Sequence, residues 1–152
     1  MVNILELRKV VGNVPLTVCA AGVLILDDQN RVLLIKRGDD GNWCIPGGVM
    51  DTGESVYEST KREVFEETNM TLNQMDLFNV YSGQEQHHIY PNGDEVYFVN
   101  IVFITKSFSG MVQTDGIESK DFRFFELKQI PLDLSPTNKP FLEDLGLYLE
   151  GN

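Results

Sequence analysis

Residues 48–70 read GVMDTGESVYESTKREVFEETNM, with glutamates at 54, 58, 63, 66 and 67. Ser55 and Glu58 stand in the S-x-x-E relation of a capping box, in which the serine oxygen takes the N3 amide and the glutamate reaches back to the cap amide. A helix is therefore expected to begin at Val56. Neither proline nor glycine interrupts it before Asn69, a residue that tolerates the left-handed conformation of a helix C′ position. The helix should run to Thr68.

Phase then separates the glutamates. At about 100° per residue from Val56, Thr60 falls at about 40°, Val64 at about 80°, Glu63 at about −20° and Glu67 at about 20°, with Glu66 at about −80°. Two carboxylates thus share the inward stripe with Thr60 and Val64, and a third borders it. Glu58, Lys61 and Arg62 occupy the other side. A solvated acidic face costs only a few tenths of a kcal/mol per pair, but carboxylates about 5.5 Å apart in a partly buried site repel by about 3 kcal/mol at an effective dielectric near 20. A cation should offset this repulsion. Clustered hard oxygen donors suit Mg²⁺ or Mn²⁺, which shares its shell with waters and substrate phosphates.

The same residues carry a family likeness. Gly48, five residues, Glu54, seven residues, then Arg62-Glu63-Val64-Phe65-Glu66-Glu67-Thr68-Asn69-Met70 resembles the Nudix box, G-x5-E-x7-R-E-U-x-E-E-x-G-U, with Asn69 in place of the family glycine. That departure is mild at a helix C-cap. The resemblance implies an α+β fold, an α/β/α sandwich with a mixed β-sheet flanked by helices, and metal-dependent hydrolysis of a phosphoanhydride in a small-molecule nucleotide. It implies Glu66 and Glu67 as metal ligands, Glu63 as ligand or base, and a ligand from the backbone carbonyl of Gly47 in Trp43-Cys44-Ile45-Pro46-Gly47-Gly48. It also favours Glu118, in a segment outside the box, as a further ligand or base, with Glu85, Glu95 and Asp115 as alternatives. Arg37 at the end of a strand is matched to phosphate binding, against a reading of Lys36 and Arg37 as solvated charges. Arg62 is expected to pair with Glu54 or Glu58 and hold the helix against its entering loop.

The 152 residues, 42% hydrophobic, are the size of one domain, taken as 1–152. A net charge of −11 opposes extended contact with DNA, RNA or an anionic membrane, while a bound metal would still admit a small anion. The first ten residues lack a signal-peptide pattern and the longest apolar run, residues 18–26, is too short for a bilayer, so a cytoplasmic protein is expected. Cys19 and Cys44 read as two buried thiols.

Residues 2–11 carry Ile4, Leu7 and Val11 at helical spacing and should pack as a short helix ended by Gly12 and Asn13. Residues 15–27 and 31–36 read as strands joined as a hairpin by the turn at 28–30. Trp43 is assigned to the core. Residues 77–82 and 95–106 read as further strands, joined by the polar and aromatic connection GQEQHHIYPNGDE, the candidate for substrate selectivity. His87 and His88 within it are taken as solvated loop residues, with substrate contact as the second reading. A strand at 122–125 and an amphipathic helix with Phe141, Leu142, Leu145 and Leu149 close the chain.

The expected activity is hydrolysis of a nucleoside diphosphate linked to another group, with an ADP-ribose-like sugar nucleotide preferred. The alternatives are a nucleoside triphosphate or dinucleoside polyphosphate pyrophosphohydrolase and a non-catalytic nucleotide sensor; a homodimer is a family habit.

Overall fold

The computed structural model describes residues 3–151. Its elements in chain order are α1 (Ile4–Val11), β1 (Leu16–Ile25), β2 (Val32–Arg37), β3 (Trp43–Cys44), β4 (Gly47–Val49), α2 (Val56–Thr68), β5 (Thr71–Tyr81), β6 (His87–Ile89), β7 (Glu95–Ser109), β8 (Ser119–Phe125) and α3 (Lys139–Glu150). Helix α2 occupies the span its caps dictate. Ser55 Oγ accepts the Glu58 amide at 3.1 Å, Glu58 answers at the Ser55 amide, and Asn69 closes the helix at φ 62, ψ 12.

Strand β1 carries the larger sheet, ordered β4-β1-β7-β5, pairing antiparallel with β4 and parallel with β7, while β6 also joins β7. The second sheet is β3-β2-β8. The expected hairpin between β1 and β2 does not form. Its turn exists, with the Asp27 amide donating to Arg31 O, but the strands part after a single bridge between Leu26 and Val32. Both are buried continuously, from Ala20 to Leu26 and from Val32 to Ile35. Runs without alternation need cover on both faces, and a two-stranded ribbon cannot supply it.

Alternate residues of β1 build two cores. Leu24 and Leu26 pack with Phe141, Leu142 and Leu145 of α3, while Val23 and Ile25 pack with Val64 and Met70 at α2. Trp43 lies in the first core, edge-on to Phe125 at 5.0 Å. The result is the sandwich with a mixed sheet between helices. Among the described residues, no helix is long and apolar enough to cross a membrane.

Three further expectations are corrected. Helix α1 begins at Ile4, with Val2 outside the described residues, and its buried residue is Arg8 rather than the Ile4, Leu7, Val11 stripe; Leu7 is 39% exposed. Arg8 donates to the carbonyls of Gly12, Val14 and Glu95, so a guanidinium fork docks the helix. Cys19 is exposed because β1 still alternates there, before both its faces are covered; only Cys44 is buried, and both thiols are free. Strand β5 starts at Thr71, six residues before the expected start at 77, because register shifts along β7 bring Leu72 and Met75, three apart, to the same core.

Candidate active site

Ser59, Thr60, Val64 and Thr68 of α2 are fully buried, so the inward arc is the one the helical phase assigns. Glu63 and Glu67 lie on it, partly buried. Glu67 Oε1 accepts the Gly47 amide at 2.8 Å, which ties the helix to β4. Burial pushes the Glu67 carboxyl well above its ordinary value of 4.5; the Gly47 bond opposes this and the charge of Glu63 adds to it. Burial also raises Glu63, with Arg62 opposing and Glu66 adding. Nearby, burial and then the charge of Glu67 push the Cys44 thiol up to about 12.

Arg62 is the hub of the outer side. It clamps Glu54 through Nε at 2.6 Å and Nη2 at 2.9 Å, and reaches Glu63 and Glu66 at 3.2 Å each. Glu54 also accepts the Asp51 amide, so the clamp fixes the loop that enters α2, and the Arg62 bonds hold the Glu54 carboxyl below its ordinary value. Glu58 is taken by the N-cap, leaving Glu54 as the partner of Arg62. Glu66, 54% exposed, faces Arg62 rather than Glu67.

The glycines are required by neighbours within the chain. A Cβ at Gly47, whose φ is +150, would stand 2.3 Å from Ala21 O, and one at Gly48 would stand 2.7 Å from Glu63 Cδ. Backbone approach to β1, and room for a carboxylate, explain glycine here. Glu118 is exposed and lines two clefts, one shared with Glu63 and one with Glu67. Of its alternatives, Glu95 pairs with His87 at 2.6 Å, Asp115 accepts the amides of Ile117, Glu118 and Ser119, and Glu85 is exposed in the turn at Gln84–Gln86.

Beside Gly47 and Gly48 lies a cavity of about 90 Å³. Ile45, Phe98 and Phe141 give it apolar walls, and Asn100, Thr137 and Asn138 give it neutral polar ones. Arg37, also on its rim, is held bidentate by Asp39 at 2.7 and 2.9 Å and stands 3.6 Å from Asp40, so its charge is already offset. Sequence reasoning missed Asn100 and Asn138. Asn138, at the N-cap of α3, makes no side-chain cap bond, and its Oδ1 instead accepts the Ile45 amide 93 residues away.

The histidines are not solvated loop residues. Both lie in β6: His87 stacks on Tyr97 at 4.6 Å, and His88 lines the cavity with a buried Nε2 that has no hydrogen-bond partner among the described residues. Burial, then the charge of Arg37, lowers the His88 pKa.

As they stand, no three His, Cys, Asp or Glu groups among the described residues form a set that could hold a metal ion. The two inward carboxylates nevertheless fit one in chemistry. They are hard oxygen donors, each raises or is raised by a like charge beside it, and a divalent cation would remove that conflict.

A family model described as the NUDIX domain matches residues 16–145. The chain belongs to the Nudix family. Among Nudix relatives, it is 34% identical over 110 residues to a protein named ADP-ribose pyrophosphatase from Methanocaldococcus jannaschii, covering 70% of this chain and 61% of that one. It is 29% identical over 124 residues to a putative 8-oxo-dGTP diphosphatase from Bacillus subtilis, covering 82% and 76%. The crystal structure of a MutT NUDIX hydrolase from Burkholderia pseudomallei superposes with a TM-score of 0.72 at 28% identity, over 84% of this chain and 96% of that one. The match thus spans about three-fifths of the archaeal relative's length.

Proposed function

We propose that this Nudix chain hydrolyses the phosphoanhydride of a nucleoside diphosphate linked to another group. The observation that carries the reading is the pair Glu63 and Glu67, partly buried on one arc of α2 and set against Gly47 and Gly48, with a neutral cavity beside those glycines. Glu63, Glu66 and Glu67 would hold Mg²⁺ or Mn²⁺, with the Gly47 carbonyl and Glu118 completing the set. Bound there, the ion neutralises diphosphate oxygens and lowers the pKa of water. Water adds across one P–O–P bridge; one P–O bond forms, one breaks, and two phosphate-bearing products leave. The base is Glu63 or Glu118. Arg62 and Glu54 touch no substrate and keep the entering loop in register, while Arg37 faces the phosphates from the cavity rim.

The name of the archaeal relative supports an ADP-ribose-like sugar nucleotide as the substrate. The longer alignment to the Bacillus protein supports a second reading, a nucleoside triphosphate. A dinucleoside polyphosphate or a binding-only sensor remains the further alternative, although all the box carboxylates are retained. Phosphate release, coupled to a phosphatase, across nucleotide sugars, triphosphates and dinucleoside polyphosphates with Mg²⁺ tests the reading. Turnover of one class that collapses in both Glu63→Gln and Glu67→Gln supports it. A wild type inactive on every class yet stabilised by a nucleotide replaces it with the sensor.

A further inference from the structure

Glu118 is exposed, yet its peptide unit is held on both sides. Its amide donates to Asp115 Oδ1 at 2.9 Å, and its carbonyl accepts the Gly38 amide at 2.9 Å. The same Asp115 oxygen also accepts the amides of Ile117 at 2.9 Å and Ser119 at 3.1 Å. An aspartate in a turn ordinarily takes one amide two residues on. Here a single carboxylate oxygen gathers three successive N–H groups. The turn is closed by the Gly116 amide, which donates to Ser119 O at 3.0 Å from a residue at φ +75.

The other side of the turn is as tightly constrained. Gly38 follows β2, and a Cβ there would stand 1.7 Å from Ile117 O and 2.9 Å from its carbonyl carbon. Because that neighbour is backbone, a side chain at 38 would have to push the turn away. Ser119 is buried at the start of β8, where it pairs with Arg37. Residues 116–118 are thereby hung between the end of β2 and Asp115, with Glu118 lining one cleft together with Glu63 and another together with Glu67.

A carboxylate that joins a metal site from a free loop loses conformational entropy when the ion or substrate arrives. In this turn the backbone is ordered on folding. Asp115, the alternative to Glu118 as ligand or base, has one oxygen taken up by three donors, which fits it to hold the turn while Glu118 faces the clefts.

We propose that Asp115 is the positioning residue that sets the Glu118 carboxylate against the metal site of Glu63 and Glu67, and that position 38 is glycine so that β2 can brace the same turn. This rests on the reading of Glu118 as a member of that site. Glu118 touches the ion or its water; Asp115 and Gly38 act through it.

The test compares wild type, Asp115→Ala, Asp115→Asn, Gly38→Ala, Glu118→Gln and the double variant Asp115→Ala with Glu118→Gln. Mn²⁺ affinity is read from the free-ion signal in electron paramagnetic resonance, and Mg²⁺-dependent turnover is read on the nucleotide class the wild type hydrolyses. Metal-free thermal unfolding confirms that each variant is folded. Asp115→Ala should weaken Mn²⁺ binding about threefold and lower kcat about tenfold with KM retained. Gly38→Ala should do the same from the opposite side of the turn. Asparagine keeps an oxygen that can accept the three amides, so Asp115→Asn should recover most of both losses. In the Glu118→Gln background Asp115→Ala should add nothing. A loss that persists undiminished in that background makes Asp115 a prop of the fold alone and overturns the proposal. So does an Asp115→Asn as impaired as Asp115→Ala, an Asp115→Ala equal to wild type in every readout, or a wild type that neither binds Mn²⁺ nor turns over a nucleotide. Should Gly38→Ala not fold, the Asp115 series still decides. Mn²⁺ binding that depends on Asp115 only when Glu118 is present, without turnover of any nucleotide, would remove the hydrolase reading and leave this one standing. Turnover and Mn²⁺ binding both indifferent to Asp115 do the reverse.

Discussion

Residues 48–70 and 83–95 both border the site, yet they are built by different rules. In the first, each device is local: Ser55 and Glu58 cap the helix, Asn69 stops it, and a period of 3.6 sets which glutamates turn inward. In the second, a glycine at φ 91 and a short 3₁₀ turn at Gln84–Gln86 lead into the three-residue strand β6, which pairs with β7, while Thr137 receives the Gln86 side chain. A helix satisfies its own backbone, whereas this segment closes its turns locally but takes the bonds of β6 from β7 and those of the Gln86 side chain from Thr137 and Asn100. The box carboxylates thus stand on the self-sufficient element, and Gln86, whose side chain joins Asn100 to Thr137, stands on the dependent one.

The largest expected effect breaks the first element chemically and leaves it folded. Glu67→Gln should lower kcat/KM by at least about a hundredfold, some 2.7 kcal/mol in barrier, in Mg²⁺-dependent turnover. The same variant should gain stability on wild type as pH rises. The folded carboxyls of Glu63 and Glu67 lie above 4.5, so between that value and the folded ones the native state binds more protons than the unfolded state. Wild-type stability from these two groups therefore falls through that window and stays lower above it. Metal-free thermal unfolding of both proteins from pH 4 upward measures the difference; Glu54, whose pKa is lowered, contributes oppositely and is common to both.

Gly47→Ala comes next, at about 3 kcal/mol of stability, since its Cβ meets backbone at Ala21 and its φ is +150. Denaturant unfolding checks it. Arg8→Met should cost about 2 kcal/mol by stripping three carbonyls of their donor. Hydrogen exchange should show α1 and the start of β7 losing protection while α2 keeps it, which sharpens the contrast between borrowed and local bonds. Ser55→Ala should cost about 1 kcal/mol through the lost cap. Asn69→Gly, which restores the box glycine at a left-handed C-cap, should gain about 0.5 kcal/mol.

Much of the site was legible before any coordinate because the box is short in sequence and periodic. Glu63 and Glu67 share an arc by arithmetic, and the Arg62 to Glu54 clamp spans only eight residues. Glu66 was less legible: it sits at the border of that arc, and the choice between Glu67 and Arg62 belongs to side-chain packing. Asn100 and Asn138 carried no local signal. Asn138 even stands where an asparagine would ordinarily cap its own helix, yet its oxygen serves Ile45.

By itself the sequence determined α2, its two caps, the inward glutamates, the strand-forming runs and the closing helix, because each follows from contacts within a few residues. Only the tertiary structure decided that β1 and β2 belong to different sheets, that α1 docks through Arg8, that the histidines lie in a strand, and that the Asn100 side chain donates to Gln86. Those outcomes depend on which distant groups are left unpaired once the sheets have formed, and no short window of sequence contains both partners.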